Sequence, residues 1–282
     1  MTEWIPQLPL AEWIKAIVEW AEDNLDFIFS PIDSTLDVTT TALIDLLNWM
    51  PAWLVIILFM AIAYFAGNKR GFGLPVFILV GMVFIISIGY WENMLSTLAL
   101  VLVTTFISIL IGIPLGILMS GSESVQRVFT PILDFMQTMP AFVYLIPAVT
   151  FFGIGMVPGI VASVIFAMPP TVRLTNLGIR GVSTELIEAS DAFGSTGGQK
   201  LFKVQLPMAR STIMAGVNQT IMLALSMVVI AAMIGAKGLG PVVFEAVTRN
   251  QAGVGFASGL AIVVLAIILD RITQQLNSSK RA

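Results

Sequence analysis

Seven apolar stretches, roughly 50–67, 74–91, 94–121, 131–153, 156–172, 211–234 and 253–269, dominate the 282-residue chain, and away from their ends they hold a single charged residue, Asp134. The hydrocarbon of a bilayer, about 30 Å thick, takes about 20 helical residues to cross. A charge at its centre costs about 2.5–3.5 kcal/mol. Such depletion of charge reads as membrane spans. Composition agrees, with 57% hydrophobic and 11% charged residues, where a soluble domain carries about 25% charged. Backbone polar groups in lipid must be satisfied within their own segment, which leaves helices for apolar runs of this length. The expectation is an all-α membrane protein with about seven transmembrane helices.

The basic residues set an orientation. With residues 68–73 placed inside, Lys69, Arg70, Arg127, Arg173, Arg180, Lys200, Lys203, Arg210, Arg271, Lys280 and Arg281 are cytoplasmic. Lys15, Lys237 and Arg249 alone fall outside. This positive-inside bias puts the N-terminus outside and the C-terminus inside. Trp49, Trp53, Tyr90 and Trp91 then sit at the outer boundary, where amphipathic rings anchor. The start, Met1 to Trp4, has no basic region ahead of an apolar core, so no cleaved signal peptide is expected.

Residues 1–48 differ in kind. Leu10, Trp13, Ile14, Ile17, Val18, Ala21 and Leu25 recur at helical spacing, opposite Glu12, Lys15, Glu19, Glu22, Asp23 and Asp26. This predicts an extracytoplasmic amphipathic helix on the membrane surface, broken at Pro31, with a second short helix over Asp37 to Asn48. Residues 49–93 would add two accessory spans, 94–275 a five-helix core, and 276–282 a cytoplasmic tail.

The chain has no Cys and no His, which excludes thiol nucleophiles, disulfides and ordinary zinc or haem ligation. Gly194 to Leu201 (GSTGGQKL) lacks the G-x-x-x-x-G-K-[ST] order of a phosphate loop, and no strand precedes it. Nothing in the spans resembles a driving-ion site of buried acids, which argues against a stand-alone secondary transporter. No Ser–Lys or paired-Asp arrangement points to an intramembrane enzyme.

The long interior loop, 180–210, reads as two short helices about a tight turn. Ser183 is placed to cap the first helix, with Glu185 near its positive end. Gly194 supplies a left-handed stop. Thr196 with Gln199 fits a capping box for the second helix, through Leu201, Phe202 and Val204, and Pro207 marks the return to the membrane. Apolar knobs on a protruding hairpin beside basic residues suit a cytoplasmic docking surface.

Glu188-Ala189-Ser190, then Gly194, then Val204-Gln205-Leu206-Pro207 resembles the EAA loop of ABC importer permeases, with Ser190 in place of the second Ala. Met136 to Phe142, Ala167 to Asn176, Asn218 to Met222 and Ile267 to Arg271 resemble the glycine betaine/proline betaine permeases, so the likeness covers about 90–275. It implies a type I importer permease in the bacterial plasma membrane, working as a homodimer with two cytoplasmic ATPase subunits and a separate external solute-binding protein. ATP and Mg would be bound by the ATPase, leaving this chain without cofactor, catalytic site or nucleic-acid partner. Glu188, Ala189, Ser190, Gly194, Leu206 and Pro207 would couple it to the ATPase. The cargo would be glycine betaine or a related solute such as choline, carnitine or proline.

Several polar and aromatic residues within the spans have two readings each. Asn218, Gln219 and Thr220 fit interhelical hydrogen bonds or a translocation path. Phe142, Tyr144 and Phe151 fit a pore-lining stretch or ordinary packing. Asp134 fits snorkelling to the inner interface or pairing with Arg127 or Arg173. Lys237 to Gln251 fits an outer lip or a plain connector, and the Gly112/Gly116 and Gly255/Gly259 pairs fit close helix packing.

Overall fold

The computed structural model describes residues 9–66 and 72–278, and among these it is helical with no strand. The expectations resting on Met1 to Trp4, on Lys69, Arg70, Lys280 and Arg281, and on the end of the tail lie outside the described residues. The first helix, α1, runs Leu10–Trp49. Then follow α2 (Ala52–Ala66), α3 (Gly73–Ser87), α4 (Trp91–Gly121), α5 (Glu123–Thr138) and, after a 3-10 turn at Ala141–Tyr144, α6 (Leu145–Phe152). The rest is α7 (Met156–Ala167), α8 (Pro169–Arg180), α9 (Thr184–Ala192), α10 (Gly197–Lys200), α11 (Leu206–Ala231), α12 (Leu239–Thr248) and α13 (Ala252–Ser278).

Four helices are long and apolar enough to cross a membrane, Trp91–Gly121, Met156–Arg180, Gly197–Ile234 and Ala252–Leu276. Counting each bent pair as one span raises this to six, against seven from the sequence. The stretch expected as one span at 131–153 is broken: Glu123–Thr138 and Ala141–Phe152 meet at 107°. Met139, held extended (φ −67°, ψ 134°) ahead of Pro140, cannot continue a helix, because the proline ring crowds the preceding residue out of the α region. Tyr144 donates its hydroxyl to the Met136 carbonyl at 2.5 Å and fastens the corner.

Pro31 does not break α1 as the sequence predicted. The helix continues for 40 residues. Pro31 removes one donor and crowds the Phe27 carbonyl, a local fault that leaves the helix on either side intact. Downstream, Thr40 and Leu47 are buried and Leu36, Leu43 and Ile44 pack on the main core, which holds the helix past the proline. Upstream, Leu10, Trp13, Ile14 and Ile17 are exposed, so the expected apolar stripe is left uncovered by the chain.

The centre of the bundle is α4, α8 and α11. A Cβ on Gly116 would lie 2.5 Å from Thr175 Cβ and 2.7 Å from the Val172 carbonyl oxygen. Gly216 of α11 approaches Pro170 and Leu174 in the same way. Small residues let these backbones close up, the packing that lipid-embedded helices use in place of a hydrophobic driving force. Thr171 and Thr220 share a hydrogen bond of 2.7 Å across the seam, and the Thr220 hydroxyl also lies 2.8 Å from the Ala167 carbonyl. Gly112 thus packs on α8 as the sequence suggests, whereas Gly259 of α13 meets nothing within 4 Å.

Candidate coupling hairpin and translocation face

The hairpin starts where α8 ends. Ser183 occupies the cap position of α9 but makes no side-chain cap bond, contrary to the sequence reading; its carbonyl accepts from Leu186 and Ile187 instead. The capping box at the second helix is present, with the Thr196 amide donating to Gln199 Oε1 at 2.9 Å and the Gln199 amide to Thr196 Oγ1 at 3.4 Å. Between them Gly194 has φ +71°, a left-handed conformation that L side chains resist. The Gly194 amide donates to the Asp191 carbonyl and the Ser195 amide to that of Ser190. Lys200 closes the hairpin on Asp191 at 2.7 and 2.9 Å, and the Ser190 and Ser195 hydroxyls meet.

Pro207 stands at the return to the membrane, inside a helix rather than a loop. Residues Leu201–Gln205 form a π turn that runs directly into α11, with Leu206 and Pro207 in its first turn. Proline lacks a donor and crowds the carbonyl four residues back. The widened turn, in which the Leu206 amide reaches back to Leu201, absorbs that misfit without ending the helix. Leu201 and Leu206 pack against Ile179, Ala209 and Ile213, so the base of the hairpin is bedded in the bundle. Its tip is not: α9 has no buried residue, Glu188 and Ala189 are exposed, Phe193 is 91% exposed and Phe202 68%.

The path candidates separate. Asn218 donates to Asp270 Oδ1 at 2.5 Å and accepts from the Thr273 hydroxyl at 2.8 Å, so it ties α11 to α13. Thr220 is buried in the α8 seam. Gln219 is exposed, on a stripe of α11 with Ala215, Met222 and Ser226. Tyr144 is buried, Phe142 is 54% exposed, and Phe151 stacks on Phe29 of α1 at 4.4 Å and so belongs to the packing of the N-terminal helix. Arg173 reaches Asp134 at 2.5 Å, while Arg127 pairs within its own helix with Glu123. The segment from Lys237 to Gln251 holds the helix α12, whose start is tethered to α4: the Leu239 amide donates to Thr97 Oγ1 at 2.8 Å and Asn93 Nδ2 to the Gly238 carbonyl at 3.2 Å.

Asp270 carried no functional reading in the sequence. Only its distance to Asn218, 52 positions away along the chain, reveals it. A sequence can mark Asn218 as polar within a span but cannot say which helix it faces.

A charge-poor helical bundle that projects a glycine-turned hairpin from one end has the architecture of a membrane permease of the type I importer fold. The likeness to solved structures agrees: the MetNI methionine ABC transporter in an inward-facing form matches with a TM-score of 0.62 at 23% identity, over 70% of this chain and 97% of that one. Residues 108–282 match the family model for the binding-protein-dependent transport system inner membrane component. The chain belongs to that family. It is 57% identical to the glycine betaine/carnitine transport permease protein GbuB of Listeria monocytogenes, over 99% of each chain. It is 53% identical to the glycine betaine transport system permease protein OpuAB of Bacillus subtilis, over 99% of this chain and 98% of that one. To the glycine betaine/proline betaine permease ProW of Escherichia coli it is 47% identical, over 98% of this chain and 77% of the relative.

Proposed function

We propose that this chain is the membrane-spanning subunit of an ATP-driven importer for a compatible solute, glycine betaine or a close quaternary ammonium relative. It has no chemistry of its own: ATP and Mg are bound by cytoplasmic ATPase subunits, and an external binding protein delivers the cargo. The observation that carries the reading is the hairpin, whose base is packed into the bundle through Leu201 and Leu206 while Phe193 and Phe202 protrude with nothing of the chain to cover them. A rigid lever with an apolar tip is what an external motor can grip and move. Glu188, Ala189 and Ser190 form the gripped helix, Gly194 sets the turn, and Leu206 and Pro207 join the lever to α11.

The chain works as a homodimer in this reading. Gln219, Arg173 and Asp134 are partly or wholly uncovered in one copy, and polar groups within membrane helices face a bundle interior or a water-filled cavity. A second copy closes that cavity. Helices α8 and α11 pack through positions 171, 174 and 178 against 209, 212, 216 and 220, so helical register leaves Arg173 and Gln219 on one side of the pair.

Reconstitution tests this. Vesicles carrying the chain with its ATPase and binding protein should take up glycine betaine uphill only when ATP is present. Gly194→Val should insert normally yet lose uptake by about tenfold or more, since its φ suits no branched side chain. Uphill transport by the chain alone, driven by a sodium or proton gradient, overturns the reading.

A further inference from the structure

Five ion pairs occur among the described residues. Three lie within one helix, Lys15–Glu19, Arg127–Glu123 and Arg249–Glu245, and Lys200–Asp191 closes the hairpin. The fifth, Asp134–Arg173, joins α5 to α8, and Asp134 is the one charge interior to the apolar stretches. Its two side chains remain 55% and 39% exposed. Arg180, about two helical turns further along α8, is used differently: Nε donates to Asn176 Oδ1 and Nη2 to the Met119 carbonyl, both at 3.1 Å, which makes it a structural strut. Arg173 is held by one carboxylate oxygen through Nη2, and its buried Nε donates to no acceptor among the described residues.

We propose that Asp134 and Arg173 form a transfer point for the zwitterionic cargo, which inserts between them and exchanges their bond for two of its own. The inference rests on the importer reading above and names the groups of this chain that touch the solute. A betaine carries a carboxylate at one end and a quaternary ammonium at the other, the mirror image of the Asp–Arg dipole. Its carboxylate can take the Nε–Nη2 edge of Arg173 with two oxygens, where Asp134 now satisfies a single donor. Its ammonium has no N–H to donate and is attracted by full negative charge, which Asp134 supplies. The exchange starts from a weak bond, because a pair this exposed is worth about 0–1 kcal/mol net. The pair also stands where the path is discontinuous, since Asp134 lies on the helix that ends at the 107° corner before Pro140. Broken helices are where membrane transporters concentrate their cargo contacts.

The test uses the complete complex, with ATPase and binding protein, in vesicles. Asp134→Asn, Arg173→Gln and the double variant D134N/R173Q are compared for glycine betaine uptake and for ATP hydrolysis stimulated by the loaded binding protein. Each single variant should lower uptake by about tenfold or more while stimulated hydrolysis stays within about twofold. The double variant decides, because it leaves no unpaired charge: a strut is rescued by joint neutralisation, a transfer point is not. Uptake by D134N/R173Q above half that of the unaltered complex overturns the inference, as does joint loss of uptake and stimulated hydrolysis in that variant. No uptake by the unaltered complex overturns the importer reading itself, and this inference with it.

Discussion

Two glycines show how different demands make the same residue irreplaceable. At Gly194 there is open space, nothing within 4 Å of an added Cβ, and the demand is conformational, φ +71°. At Gly116 the backbone is ordinary helix and the demand is room, with Thr175 Cβ 2.5 Å and the Val172 carbonyl oxygen 2.7 Å from an added Cβ. Thr175 Cβ is fixed by its backbone and the Val172 carbonyl belongs to a packed helix, so no rotamer change relieves the clash and α4 and α8 must part. Gly116→Ala should therefore destabilise the bundle by about 1–3 kcal/mol, the usual cost of overpacking. Thermal unfolding in detergent reads this directly. Gly194→Ala should leave the same midpoint nearly unmoved, because its left-handed strain of about 1–2 kcal/mol is relieved by local rearrangement of a hairpin whose first helix buries no residue. Equal midpoint shifts for the two variants would contradict this division of labour.

At the scale of elements, α1 divides at Phe29. Beyond it the helix is docked, with Phe29 stacked on Phe151 and edge-on to Phe152 at 5.7 Å, and Thr40 and Leu47 buried. Before it Trp13, Ile17 and Trp20 are exposed. Phe29→Ala should cost at least about 1 kcal/mol of stability through the lost ring pair, whereas Trp13→Ala should cost nothing measurable in detergent. A thermal midpoint unchanged by the Phe29 substitution would mean that α1 does not dock there. The sequence carried the amphipathic stripe of this helix but not its continuity, because whether Pro31 ends the helix is decided by the packing of Leu36, Leu43 and Leu47 downstream. The same holds at the other break. A proline such as Pro140 disfavours helix at the residue before it, but a straight kinked span and a 107° corner share one apolar pattern. By contrast the capping box at Thr196 and the left-handed turn at Gly194 were legible, since both are set by residues within one or two turns. What stayed hidden was pairing across the fold: Asn218 with Asp270, and Arg173 with Asp134 rather than Arg127.

At the scale of the molecule, a membrane bundle must put its polar residues somewhere other than lipid, and this one leaves Gln219, Ser226 and Arg173 uncovered in a single copy. The face of α4 that carries Leu102, Phe106 and Leu110 is exposed as well, yet purely apolar. The two faces should meet different surroundings, water in the proposed cavity for the first and acyl chains for the second. The absence of cysteine makes this directly measurable, because a single introduced thiol is the only one in the chain. Gln219→Cys, in the assembled transporter, should react with a charged, water-soluble thiol reagent, and the rate should change between nucleotide-free and ATP-bound states as the path opens to one side and then the other. Leu110→Cys should stay unreactive in both, because a thiolate hardly forms in hydrocarbon. Should Gln219→Cys prove as inert as Leu110→Cys in every nucleotide state, the uncovered stripe of α11 does not line an aqueous path, and the cavity between two copies must be sought on another face.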